Sequence, residues 1–155
     1  MYYFSFSSSE KIFNRLNGIK NDGDMHAAKI SPYSKIFQKR IIKKNKKIKI
    51  LVAAHCFLDS PHVLGNFLFP DFMHWLNFLA EVSKKTNYDW YIKSHPNFKR
   101  ETFSILKDFV KRNKKFKLLP VNYSHKQIIN EKISCALTVY GTIGWEYAYL
   151  GIPVI

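Results

Sequence analysis

From residue 48 onward, short apolar runs rich in β-branched residues alternate with stretches whose apolar positions recur at helical spacing. Few folds accept that alternation. The run 48–54 (IKILVAA) has the unbroken apolar character of a strand buried on both faces. Residues 70–85 follow as a helix, with Pro70 near its first turn, Asp71 at the positive end of its dipole, and Phe72, Trp75, Leu76, Leu79 and Val82 on one stripe. The segment 89–93 (DWYIK) is predicted as a second strand, and 101–112 as a helix through Phe103, Leu106, Phe109 and Val110. A third strand is expected at 116–119. Ser124 and Gln127 then stand at capping-box spacing before a short helix. A fourth strand is expected at 133–140, a helix at 142–150 stopped by Gly151, and the start of a fifth strand at 153–155.

Strands separated by single helices and short links imply parallel pairing through right-handed crossovers. The expected fold class is therefore α/β, a doubly wound, Rossmann-like parallel sheet spanning 48–155. Residues 1–47 read differently. Residues 1–34 carry turn signals, no sustained period and few helix or strand markers, and are expected to form a mobile arm. The stretch 35–49 holds eight basic residues and no acidic one, with Ile36, Phe37, Ile41 and Ile42 on what would be one helical stripe, so it reads as a basic linker or helix. The arm at one end, and a final strand without a covering helix at the other, suggest truncation at both ends.

Composition narrows the partners. With 46% apolar residues the chain is an ordinary globular one, and 25 basic against 11 acidic residues leave it at +14. That charge attracts phosphorylated small molecules, anionic lipid or nucleic acid. A Lys-rich, Asn-rich and Ile-rich composition also follows from AT-biased codons with no partner at all. Most aromatic residues fall on core stripes instead of alternating with the basic run, which disfavours nucleic acid. Cys56 and Cys135 match no metal-ligand spacing and read as reduced, intracellular thiols. The N-terminus lacks the basic and apolar regions of a signal peptide. The weakly charged run 133–155 is punctuated by Gly141, Gly144, Gly151 and Pro153, as a strand, turn and helix would be. A soluble, cytoplasmic chain is expected, with 35–49 as a surface for peripheral contact with an anionic inner membrane.

In a doubly wound sheet the chemistry lies where strands end at their carboxyl termini. Three such loops stand out. After the first strand, 55–65 places His55, Asp59, Ser60 and His62 in one turn-rich segment, a weak metal signal and a better one for phosphate contact. After the second, Pro96 biases His95 away from helical backbone and presents its imidazole at the strand end, with Lys93 adding positive potential. After the fourth, Gly141 permits a tight turn, and the opening amides of the next helix would face an anion. Thr142 and Glu146, four apart, share one helix face there. Glu146 is the one charge in 133–155, where an idle buried carboxylate would be costly. The G-x-G-x-x-G fingerprint is absent after the first strand, so neither nicotinamide nor flavin is expected.

The K-x-HP element (Lys93, His95, Pro96) and the later G-T-x-G-x-E-x6-P run (Gly141, Thr142, Gly144, Glu146, Pro153) resemble the C-terminal, donor-binding half of GT-B glycosyltransferases, especially bacterial capsular polysaccharide biosynthesis proteins. The resemblance covers about two thirds of the chain. It implies transfer from a nucleotide-activated donor, a CMP-sugar or CDP-polyol, to a glycan or lipid-linked acceptor in capsule or envelope polysaccharide synthesis. By that resemblance His95, Lys93, Gly141 and Thr142 bind the donor phosphate, Glu146 binds the ribose or nucleotide, and no metal or other cofactor is needed. The acidic base of such families is not recognisable; Asp59 and His55 are the weak catalytic candidates. Three other readings stay open: a sugar-nucleotide epimerase of the same architecture, a basic nucleic-acid-binding module, and a fragment with no activity.

Overall fold

A computed structural model of the chain describes residues 7–17, 32–57, 68–95, 100–139 and 141–155. Among them the elements run α1 (Ser7–Leu16), β1 (Lys49–Ala53), α2 (Phe72–Lys84), β2 (Asp89–Lys93), α3 (Arg100–Arg112), β3 (Phe116–Leu118), α4 (His125–Asn130), β4 (Cys135–Leu137) and α5 (Ile143–Tyr149). The four strands form one parallel sheet in the order β3-β2-β1-β4. Val154 bridges Ala136 in parallel on the outer side of β4, so the expected fifth strand begins where the sequence placed it.

Strand alternation divides the core between the two faces of the sheet. Ile50 and Val52 of β1 and Trp90 and Ile92 of β2 face α2 and α3, meeting Trp75, Leu76, Leu79, Leu106 and Phe109. Leu51, Tyr91 and Ala136 face the other way, against Tyr123, Ile128 and Tyr147. Helices therefore cover both faces, and the Rossmann-like α/β class expected from the sequence is the one observed. Asp71 caps α2 by accepting the His74 amide at 2.8 Å, which sets the helix start one residue after the cap. Strand order reverses at β1, whose neighbours are β2 and the much later β4. Such a switch point opens a crevice at the carboxyl ends of the strands.

Three sequence expectations need correction. The arm 1–34, read as carrying few helix or strand markers and forming a mobile arm, contains α1. The basic stretch 35–49 forms no helix: Ile42 is fully buried in the core, whereas Ile36 and Phe37 are exposed, so no common stripe exists. Its backbone is held by distant side chains. The Ile41 amide donates to the Tyr123 hydroxyl and the Lys43 amide to the Tyr91 hydroxyl, each at 2.9 Å, and the Gln38 amide donates to Gln127 Oε1 at 2.8 Å. That last bond explains the third correction. Gln127 closes no capping box, because its side-chain amide is spent on Gln38 and Glu131, while Ser124 alone caps α4 through the Lys126 amide.

Candidate functional site

The carboxyl ends of β1, β2 and β4 open onto one cleft lined by His55, Lys93, Ser94, His95, Thr138, Gly141, Thr142 and Glu146, together with Arg15 and His125. The His95 imidazole and the Gly141 turn thus border a common space. Asp59, Ser60, His62 and Pro96 lie outside the described residues.

Backbone pairing positions the first two strand ends. The Ala54 amide donates to the Lys93 carbonyl at 2.9 Å, extending the β1–β2 ladder by one bond and holding His55 beside Ser94 and His95. The His55 ring stacks on Phe72 with centroids 5.2 Å apart and lies 6.4 Å from the His95 ring. Its other neighbour is Gly141. That residue has φ +151°, a backbone that side chains rarely adopt, and a Cβ there would meet the His55 ring at 3.5 Å. Glycine is thus required here by conformation more than by space.

Lys93 belongs to the buried face of β2 and its ammonium donates to the Val121 carbonyl at 2.7 Å. Burial pulls its pKa down from 10.5 to about 8. The next residue, Ser94, is buried with a hydroxyl that has no hydrogen-bond partner among the described residues. A buried orphan hydroxyl carries a desolvation cost of roughly 1–3 kcal/mol, and here it lies on the wall of a cleft where a ligand would remove that cost.

The far wall is an ionic network anchored on Glu146. Its carboxylate is buried, accepts the Tyr33 hydroxyl at 2.7 Å through Oε2, and pairs with the Arg15 guanidinium through Oε1. Arg15 also donates to the Thr142 hydroxyl at 2.9 Å, so one guanidinium bridges the two residues that the i,i+4 spacing placed together. Burial, and then the Glu146 charge, raise the Tyr33 hydroxyl far above its ordinary pKa and keep it a donor. His125 is buried behind the cleft, its Nδ1 2.8 Å from the Tyr147 hydroxyl. Burial, with Lys93 adding to it, holds the imidazole well below its usual pKa, so it is neutral at pH 7. The opening of α5 offers fewer amides than expected. Those of Gly144, Trp145 and Glu146 already bond the Gly141 and Thr142 carbonyls, leaving at most the Thr142 and Ile143 amides.

Arg15, His125, Ser94 and Tyr33 were missed by sequence reasoning. Ser94 sits between two residues singled out for the site, and its placement after β2 was a usable signal. Arg15 lies 131 residues from its partner in a stretch with no local pattern, and nothing in the sequence points to it.

The arrangement defines a class: a doubly wound parallel α/β domain with an anion-compatible cleft at its switch point, where Arg15 pairs with the one carboxylate, Glu146, and Lys93 and several neutral donors line the rest. Comparison with known proteins adds one structure. No family model and no curated protein matches this chain. Among solved structures it is similar to UDP-N-acetylglucosamine 2-epimerase from Rickettsia bellii, at 22% identity and a TM-score of 0.46 over 68% of this chain. The match takes in 26% of that protein, so this chain spans about a quarter of its length. No helix among the described residues is long and apolar enough to cross a membrane.

Proposed function

We propose that the cleft binds the phosphate of a nucleotide-activated sugar or polyol, and that the chain is the donor-binding half of a GT-B-type transferase acting in capsule or envelope polysaccharide synthesis. The observation that carries the reading is the buried Ser94 hydroxyl, without a partner among the described residues, in a cleft bordered by Lys93, His95 and the Gly141–Thr142 turn. In this reading Lys93, Ser94 and His95 meet the phosphate oxygens from one wall, and Thr142 and the adjoining amides meet them from the other. Such fixed donors favour the charge that accumulates on a departing nucleotide phosphate, without reorganisation at the moment of reaction. Glu146 would exchange Arg15 for ribose hydroxyls. The cleft measures about 70 Å³, room for a small anion but far below the roughly 300–1,000 Å³ of typical small-molecule sites. Arg15 occupies part of the difference, and a nucleotide would displace it. His55, stacked between Phe72 and His95, remains the weak catalytic candidate within the described residues, beside Asp59 outside them.

Calorimetric titration of the chain with CMP, CDP and UDP tests the reading. CDP should bind more tightly than cytidine, and His95→Ala should weaken CDP binding at least tenfold while leaving the circular dichroism spectrum unchanged. Absence of binding by all three nucleotides at millimolar concentration would remove it. With a UDP-sugar, an epimerised donor and no transfer would assign the same cleft to an epimerase.

A further inference from the structure

At the opposite rim of the sheet, where the strands begin, five lysines surround one hollow of about 210 Å³. Lys43 and Lys47 approach from the segment before β1, Lys114 and Lys115 from the turn between α3 and β3, and Lys117 from β3 itself, with Tyr88 and Asn87 between them. The sequence separates these groups by some seventy residues, so the cluster exists only in the fold.

Two of its ammoniums are tethered to neutral groups, and among the described residues only Lys43 stands near a carboxylate. The Lys47 ammonium donates to Asn87 Oδ1 and that of Lys115 to the Thr86 carbonyl, each at 2.6 Å, both neutral acceptors. Lys114 and Lys117 make no ion pair among the described residues. The single carboxylate in the hollow, Asp89, is already engaged: Asn45 donates to it at 2.7 Å, and Lys43 stands 3.9 Å away. The helix macrodipole accounts for basic residues in the last turn of α3, Lys111 and Arg112, but Lys43, Lys47 and Lys117 belong to no helix. Gathering like charges on exposed side chains costs electrostatic energy and returns no packing.

We propose that this hollow is a second anion site, distinct from the cleft, which recognises a group carrying several phosphate charges. The wall of ammoniums suits compact, multiply charged phosphate. Such a group comes either from a free phosphorylated molecule or from a lipid headgroup, and the two are separated by experiment. Inorganic tripolyphosphate is titrated into the chain at low salt, and cosedimentation is measured with vesicles of phosphatidylcholine alone or with cardiolipin, whose headgroup carries two phosphates, added. The site variant is Lys47→Gln, Lys115→Gln and Lys117→Gln together. Its control carries Lys35→Gln, Lys39→Gln and Lys107→Gln, the same loss of charge on exposed positions elsewhere.

The expected result is at least a tenfold loss of tripolyphosphate affinity in the site variant and less than a twofold loss in the control. If the headgroup is the source, cardiolipin-dependent cosedimentation falls in the site variant alone. If the source is free phosphate, cosedimentation is the same for both variants while tripolyphosphate still discriminates. Equal losses in site and control variants overturn the proposal, since they would mean attraction to net charge only. Failure of both phosphate probes, with a single-stranded oligonucleotide bound in a manner sensitive to the site variant, overturns it as well. Matching circular dichroism spectra and melting temperatures show that the variants fold.

Discussion

A phosphate seated beside Lys93 should draw a proton from solution. Burial has lowered the ammonium's pKa to about 8, so near pH 8 half the free chains carry an uncharged amine. A bound phosphate supplies the missing counter-charge and returns the group toward its ordinary value near 10.5. With a fully ionised phosphate, linkage then gives an uptake of about 0.5 proton per site at pH 8 and about 0.9 at pH 9, and a loss of affinity of about fivefold between them. Calorimetry in two buffers of different ionisation enthalpy measures the uptake directly. Lys93→Met should abolish it and flatten the pH dependence. The same shift has a signed effect on stability. Between pH 8 and pH 10.5 the unfolded chain binds more protons than the folded one, so the folded state gains stability as pH rises through that window. Below pH 8 the burial cost is present in full. Lys93→Met therefore stabilises the free chain at pH 7 by about 1–3 kcal/mol after loss of the bond to the Val121 carbonyl. Uptake near zero at pH 8, or the same uptake in Lys93→Met, would refute the placement of phosphate against this ammonium.

Further outcomes follow from the packing and the ionic network. Arg15→Ala leaves the buried Glu146 carboxylate with the Tyr33 hydroxyl as its remaining donor among the described residues and should destabilise by about 1–3 kcal/mol, less than a wholly buried pair because Arg15 is partly exposed; adding Glu146→Gln should restore most of the loss in urea denaturation. Tyr123→Phe orphans the Ile41 amide and the Glu131 oxygen that its hydroxyl joins, at a cost of about 1–3 kcal/mol by the same measurement, with faster amide exchange at Ile41. Leu106→Ala removes a fully buried side chain between α3 and the sheet and should cost roughly 2–5 kcal/mol in thermal or urea melts. Gly141→Ala should weaken nucleotide binding and lower the melting temperature through its strained φ, although the nearest side-chain atoms leave ordinary contact room.

What was legible in the sequence was what local periodicity encodes. The strand 89–93 is found at Asp89–Lys93, because its residues alternate between two buried faces and bulky apolar side chains fix that register. α2 and α3 were equally readable from their stripes. The segment 35–47 was not, because its conformation is set by hydroxyls and an amide that reach it from Tyr91, Tyr123 and Gln127, partners 48, 82 and 89 residues away. A stripe of Ile36, Phe37, Ile41 and Ile42 looks helical on paper. Once those distant donors and acceptors capture the backbone, Ile42 is buried and Ile41 packs beside it, while Ile36 and Phe37 stay exposed. The cleft divides in the same way. Strand ends, glycine and proline pointed to His55, Lys93, His95 and Gly141, whereas Arg15 and His125 come from parts of the chain with no marker.

The two rims of the sheet also explain how one chain can hold so much positive charge without self-repulsion disabling the cleft. Parallel strands put all carboxyl ends on one rim and all amino ends on the other, and the lysine hollow lies with Asp89 at the amino end of β2 and Lys115 just before β3. At the cleft the charges are few: Arg15 is paired with Glu146, His125 is kept neutral by burial, and the Lys93 ammonium is weakened by burial. Charges on the far rim are separated from the cleft by the length of the sheet, and at physiological salt they are screened over about 8 Å. Substituting the far lysines should therefore leave nucleotide affinity at the cleft within twofold at that ionic strength. Changing Lys93 or Arg15 alters it directly. A far-rim substitution that moved cleft affinity tenfold would mean that the rims are coupled through the strands, and the cleft could no longer be treated as an electrostatically local site.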